Sequence, residues 1–291
     1  MKRKRDIIFS IGFLSPTLIL YCTFVIYAII LAFYYTLTDW SGIGDKSFVW
    51  FANYKELILD PEYWQVTKNS FTLVLLAILI QNPVGLLLAF FISRISKGYR
   101  VFRSAIFLPV VIPAATTGLM FSLLLNNDLG IMNGFLKTIG LGFLQQNWLT
   151  DPKIVIYSVA LPQVWQYLGI HFVIYLAAIQ SIPKEVIESA FIDGANSFQT
   201  FRKVVIPLVW DVIQIGIILN VTGALKAFDI SWIMTWGGPG ISSAYISVLM
   251  FRYAVKGFNF SYGITIAMTI LIYSVTFTVV FRKIFGKSPI D

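Results

Sequence analysis

Few residues of this 291-residue chain could do chemistry, and their spacing excludes most enzymatic mechanisms. Gly286-Lys287-Ser288 ends like a phosphate-binding loop. Such a loop needs a glycine five residues before that Gly286, and Phe281 stands there, with no strand pattern ahead of it. The single histidine, His171, has no acidic neighbour on its helical face and reads as packing. The single Cys22 can form neither an internal disulfide nor a multi-cysteine metal site. What remains is hydrogen-bonding capacity at Gln81, Asn82, Thr116, Thr117, Gln163, Gln166, Tyr167, Asn220 and Thr222, plus two charges, Lys226 and Asp229. Amides and phenols donate and accept without charge and suit a neutral polar ligand. The same groups also bond helices to one another inside a membrane, and both readings stand.

The elements that carry these residues are legible from charge spacing. Hydrophobic residues make up 57% of the chain and charged residues 12%, about half of what a water-soluble surface requires. Uncharged runs extend over Ile7–Thr38, Asn69–Ser93, Ser104–Asn127, Ile154–Pro183 and Gly257–Phe281. A further run, Val204–Trp236, is interrupted by Asp211, Lys226 and Asp229. A membrane span takes roughly 20 apolar residues, so the fold class is an all-α integral membrane protein of about six transmembrane helices. No linker or low-complexity tract divides them, and residues 1–291 read as one transmembrane domain. The first run follows Lys2-Arg3-Lys4-Arg5 and is too long for the apolar part of a secretory signal, so a retained helix is expected. Lys226 and Asp229, three apart, would share one helical face as an intramembrane ion pair. That pair either stabilises its helix or belongs to an outer gate.

Charge also orients the chain. With an even number of spans, the whole net charge of +8 falls on the side of the termini, while cations and anions balance on the other. Positive loops mark the cytoplasmic side, so both termini are expected there. Topology and anionic lipid account for the basic balance, and a nucleic-acid partner is excluded. On the outer side, Asn126–Lys153 reads as turns with a short interfacial helix. Ser243–Lys256, with Ile246, Leu249, Met250 and Tyr253 at helical spacing, reads as a short helix lying on the surface.

The segment 181–207, on the side of the termini, is the most informative. Pro183 favours a helix start, Lys184–Ile192 has helical periodicity, and Asp193-Gly194 can end it through a left-handed turn. Asn196 or Ser197 can cap a second helix toward Arg202 and Lys203. From physics alone this protrusion is either an ordinary loop or a partner's docking surface.

Glu188-Ser189-Ala190, then Gly194, then Val204-Val205-Ile206-Pro207 resembles the cytoplasmic EAA loop of binding-protein-dependent ABC transporter permeases. Asp193-Gly194-Ala195 and Gln199-x-Phe201 are similar to the sugar-importing branch. Phe107-Leu108-Pro109, Gln180-Ser181-Ile182-Pro183, Phe228-Asp229 and Thr235-Trp236-Gly237-Gly238-Pro239 extend the resemblance, which is nearest to the first permease of the maltose and glycerol-phosphate type. Ser189 stands where that family has alanine.

The resemblance implies a type I ABC importer permease fold in a bacterial cytoplasmic membrane. It implies a transport subunit, not an enzyme, for an oligosaccharide. The implied partners are a second homologous permease, an ABC ATPase dimer, an extracytoplasmic sugar-binding protein and membrane lipid. No cofactor would sit in this chain; ATP and magnesium belong to the ATPase. Glu188, Ser189, Ala190, Asp193, Gly194 and Ala195 would couple to it. Carried over by position, sugar contacts fall on Gln163 and Asn220, with Gln166 and Tyr167 beside them, while Val110, Ala114, Ala224 and Ala227 have lost polarity. A secondary transporter would show inverted repeats and embedded ion ligands, and an intramembrane protease or similar enzyme a catalytic cluster; neither is present.

Overall fold

A computed structural model describes residues 2–95 and 97–286, without the side chains of residues 2–10 and 12. The side chains of Lys2–Asp6, and Lys287, Ser288 and Asp291, which entered the charge and motif readings, lie outside the described residues. The described residues fall into two compact units, residues 2–60 with 250–269, and 61–249 with 270–286.

The first unit opens with α1 (Lys2–Tyr21), which a π-helical turn (Cys22–Ile26) joins to α2 (Tyr27–Thr36). Strands β1 (Thr38–Asp39) and β2 (Ser47–Phe48) pair antiparallel, and α3 (Ala52–Leu59) follows. Asn53 donates to the carbonyls of Thr36 and Thr38, and Thr38 Oγ1 meets Ser261 Oγ at 3.1 Å, so this small cap is held by polar bonds.

The second unit contains α4 (Pro61–Leu76), a π turn (Ala77–Gln81) and α5 (Asn82–Ser93) in one long run. Next come α6 (Tyr99–Val111), α7 (Ala114–Leu124), α8 (Ile131–Thr138) and α9 (Val155–Gln180). The chain continues through α10 (Lys184–Ile192), α11 (Ser197–Thr200), α12 (Ile206–Leu208), α13 (Trp210–Leu225) and α14 (Asp229–Thr235). It closes with α15 (Ile246–Phe251) and α16 (Phe260–Phe285), both of which run across the boundary between the units.

Among the described residues four helices, Phe13–Thr36, Pro61–Ser93, Val155–Gln180 and Phe260–Phe285, are long and apolar enough to cross a membrane, and the number is six if each of two bent pairs is one span. The α6–α7 pair bends by 91°. Pro113 disfavours helical backbone at Ile112, which is extended (ψ 129°), and the helix must restart at Ala114. Ser197–Leu208 and α13 meet at 76°, around Val209. The Val204–Trp236 run is therefore not one continuous helix. α13 stops at Leu225 and α14 is separate.

Close backbone approach fixes the second unit. A Cβ at Gly169 would stand 2.7 Å from the Ile106 carbonyl, so α6 and α9 pack at glycine distance. At Gly216 it would collide with Tyr175 Oη, whose hydroxyl donates to Asn82 Oδ1. That node ties α5, α9 and α13 together. α15 does not lie on a surface as expected: Ile246, Val248 and Leu249 are buried, and Ser70 Oγ accepts from the Ile246 N–H at 3.0 Å.

Candidate functional site

The second unit holds an open-sided cavity of about 330 Å³ between α4, α9, α13 and the start of α14. Its wall follows from how the sequence bends these helices. The π turn at Ala77–Gln81 loosens the regular backbone ladder, and the Ala77 carbonyl accepts from Asn220 Nδ2 at 3.2 Å. Gln81 Nε2 donates to the Val164 carbonyl at 2.8 Å, pinning the same turn to α9. Leu73, Ala77, Gln81, Val164, Ile170 and Leu219 line the cavity, giving it apolar walls broken by a few polar groups.

The residues expected from sequence to line a pathway divide here. Gln163, Tyr167 and Asn220 all face the cavity. Gln166 does not: it is 1% exposed, and its Nε2 donates to the Ile112 carbonyl at 2.6 Å. It holds the carbonyl that the Pro113 break frees from the helix, so it braces the α6–α7 bend and lies outside this cavity. Ala114, Ala224 and Ala227 line the cavity, whereas Val110 does not. His171, expected as packing, lines it as well and is 4% exposed.

Lys226 and Asp229 also line the cavity, but not as an ion pair on one helix. Lys226 caps the end of α13 and Asp229 begins α14, with Phe228 between them at φ −138°, ψ −58°. The helical i, i+3 relation is lost at this break. No ion pair joins the two among the described residues, and both are exposed.

The segment from Ala227 to Val248 is held by polar bonds that sequence reading missed. Asn69 Nδ2 reaches the carbonyls of Ile241, Ser242 and Ala244 at 3.1, 3.1 and 2.9 Å. Ser231 Oγ donates to the Ser243 carbonyl, Ser243 Oγ to that of Gly238, and Ser247 Oγ to that of Ala227. Small hydroxyls amid apolar neighbours carry little signal in a sequence, but Gly237-Gly238-Pro239-Gly240 marks the tight turn they secure. There Gly237 is left-handed (φ 81°), and a Cβ on it would meet Ala244 Cβ at 2.9 Å.

A second feature is the segment after α9. Pro183 is the N-cap of α10, which covers Lys184–Ile192, and Asp193 is its C-cap. Gly194 takes φ 84°, its N–H bonding the Phe191 carbonyl at 3.0 Å, while the Ala195 N–H bonds that of Ala190 at 2.9 Å. This is a Schellman ending. Asn196 then caps α11, exchanging bonds with Gln199 in a capping box. Glu188, Ser189, Asp193 and Gly194 are exposed, and Ala190 and Ala195 half-buried. Apolar side chains share that exposure, Ile192 at 85% and Phe198 at 68%. Arg94, at the end of α5, braces the loop by donating to Ser197 Oγ at 2.9 Å and stacking over Phe191 at 5.1 Å. The result is a short two-helix loop that leaves large apolar side chains uncovered, a feature associated with interaction surfaces.

Comparison with known proteins identifies the family and the fold. A family model described as "Binding-protein-dependent transport system inner membrane component" matches residues 81–285. A probable ABC transporter permease protein of Pyrococcus horikoshii is 36% identical, the match covering 94% of each chain. The trehalose/maltose transport system permease protein MalF of Thermococcus litoralis is 30% identical over 94% of this chain and 93% of its own. Among solved structures, a chain of a bacterial alginate ABC transporter crystallised with its pentasaccharide-bound periplasmic protein superposes with a TM-score of 0.80. That match covers 96% of this chain and 94% of the other at 23% identity. At that identity the match shows the fold, a type I ABC importer permease.

Proposed function

The chain belongs to the family of binding-protein-dependent transport system inner membrane components, and from that premise we propose that it is the membrane-spanning subunit of an ATP-driven oligosaccharide importer. Such a subunit transports and is not itself an enzyme. The observation that carries the reading is the conjunction, in one unit, of a polar-dotted cavity and an exposed short-helix protrusion. The cavity wall presents Gln163, Tyr167 and Asn220, neutral groups that match hydroxyls. Relatives whose printed names include trehalose, maltose and multiple sugars support a sugar as cargo.

In this reading the chain lies in a bacterial cytoplasmic membrane with both termini inside, which the charge asymmetry supports. The protrusion of Glu188, Ser189, Ala190, Asp193, Gly194 and Ala195 then seats in a cleft of an ABC ATPase dimer. A second homologous permease completes the pathway, and a sugar-binding protein delivers cargo from outside. ATP and magnesium are bound by the ATPase. Closure of the ATPase dimer pushes the protrusion, and because α10 ends in a stiff Schellman turn, the push passes to α9 and α13 as rigid-body rotation.

The test is uptake by proteoliposomes holding the full complex, with a panel of neutral and acidic mono- and oligosaccharides. Asn220→Ala or Gln163→Ala is expected to lower uptake or shift preference while the complex stays assembled. Parental rates for every substrate in both variants and in Tyr167→Ala would overturn the pathway assignment.

A further inference from the structure

We infer that His171 is a ligand-contacting residue that donates a hydrogen bond through Nε2 to an uncharged sugar. The inference rests on the importer reading above and deepens it. His171 lines the cavity and is only 4% exposed. Nδ1 is enclosed and has no partner, whereas Nε2 is not among the enclosed unpartnered atoms. In a neutral imidazole one nitrogen carries the proton and the other only accepts. An enclosed N–H without an acceptor is costlier than an enclosed lone pair, so the proton belongs on Nε2, the nitrogen left to the cavity.

Packing does not explain a histidine at this position. The backbone next to it is clamped: a Cβ on Gly85 would stand 3.3 Å from His171 Cβ and 3.2 Å from the Phe172 nitrogen, so α5 presses directly on α9. An apolar side chain of similar volume, such as leucine, would fill the space without enclosing an unpaired nitrogen. The neighbouring Asn220 shows the same signature. Its Nδ2 is engaged by Ala77, while Oδ1 is enclosed without a partner. Polar side chains with enclosed, unpartnered atoms thus stand at two points of one cavity wall, which simple apolar packing does not require. The ionic groups of the wall, Lys226 and Asp229, are of opposite sign, so this chain supplies no net field favouring an acidic cargo.

The experiment uses the assembled importer in proteoliposomes, with maltose and trehalose as neutral probes and a uronate oligosaccharide as the acidic one. His171→Phe keeps an aromatic ring, somewhat larger than imidazole, and removes both nitrogens. It is expected to raise KM for the transported neutral sugar about 3- to 10-fold, the worth of one neutral hydrogen bond, with assembly intact. His171→Gln, whose amide N–H reaches a similar distance, is expected to recover most of that loss. Because His171 is the chain's single histidine, ¹⁵N-histidine labelling of this subunit gives a second reading in the unmodified protein: trapping the sugar must shift the Nε2 resonance. An unchanged KM in His171→Phe, an unmoved resonance, or transport confined to the acidic sugar would each overturn the inference. If Asn220→Ala impairs uptake while His171→Phe does not, only this inference falls. If neither has an effect, the pathway reading falls with it.

Discussion

Replacing Gly194 by valine is expected to abolish sugar uptake while leaving membrane insertion intact. Gly194 takes φ 84° at the end of α10, where its N–H and that of Ala195 close the Schellman turn. An L residue in that region costs about 1–2 kcal/mol, and a β-branched one more. A Cβ at Gly194 would meet nothing within 4 Å, so the cost is one of backbone conformation and not of collision. About 1–2 kcal/mol corresponds to a factor of roughly 5–30 in the population of a correctly ended loop. Asparagine visits the left-handed region more readily than other L residues. The expected order of uptake and of ATPase retention is therefore Gly, then Asn, then Ala, then Val. The assay compares the four proteins at matched expression, measuring uptake together with the ATPase that copurifies. Normal uptake by a well-expressed Gly194→Val protein would refute the reasoning.

Other consequences follow from the same geometry. Gln166→Leu should lower the melting temperature by removing the bond to the Ile112 carbonyl, at a cost of about 1–3 kcal/mol, while KM for sugar stays at the parental value; a KM effect without a stability effect would return Gln166 to the pathway. Gly216→Ala should sharply reduce the folded yield, and Tyr175→Phe should partly rescue it by removing the hydroxyl that the new Cβ meets; a normal yield of Gly216→Ala would contradict the node. Lys226→Met and Asp229→Leu should each express at the parental level, and a double-mutant cycle on stability should give coupling below about 0.5 kcal/mol. Coupling well above that would restore the ion pair. Arg94→Gln should weaken ATPase retention while leaving sugar preference alone; unchanged retention would remove its bracing role.

What the sequence disclosed follows from which forces act locally. Span count and the limits of α10 were readable because they depend on charge spacing and on Pro183 and Gly194, whose conformational limits are intrinsic. Lys226 and Asp229 were misplaced because a three-residue spacing shows contact only if the helix is continuous, and no proline or glycine announces the break at Phe228. Gln166 falls outside the cavity for a related reason. Its partner is a backbone carbonyl 54 residues away, exposed by the Pro113 bend, and side-chain types cannot register that demand. His171 and Gln163 occupy the same helix with opposite initial readings. Only the position of α13 across from them shows that both meet the cavity.

The central claim is tested most directly by purifying the tagged chain from its native membrane in mild detergent and identifying what accompanies it. The account predicts a second permease and an ATPase in stoichiometric amounts, with ATP hydrolysis stimulated by a sugar-loaded binding protein and lost in Gly194→Val. Recovery of the chain alone, with sugar uptake that proceeds without ATP, would contradict it.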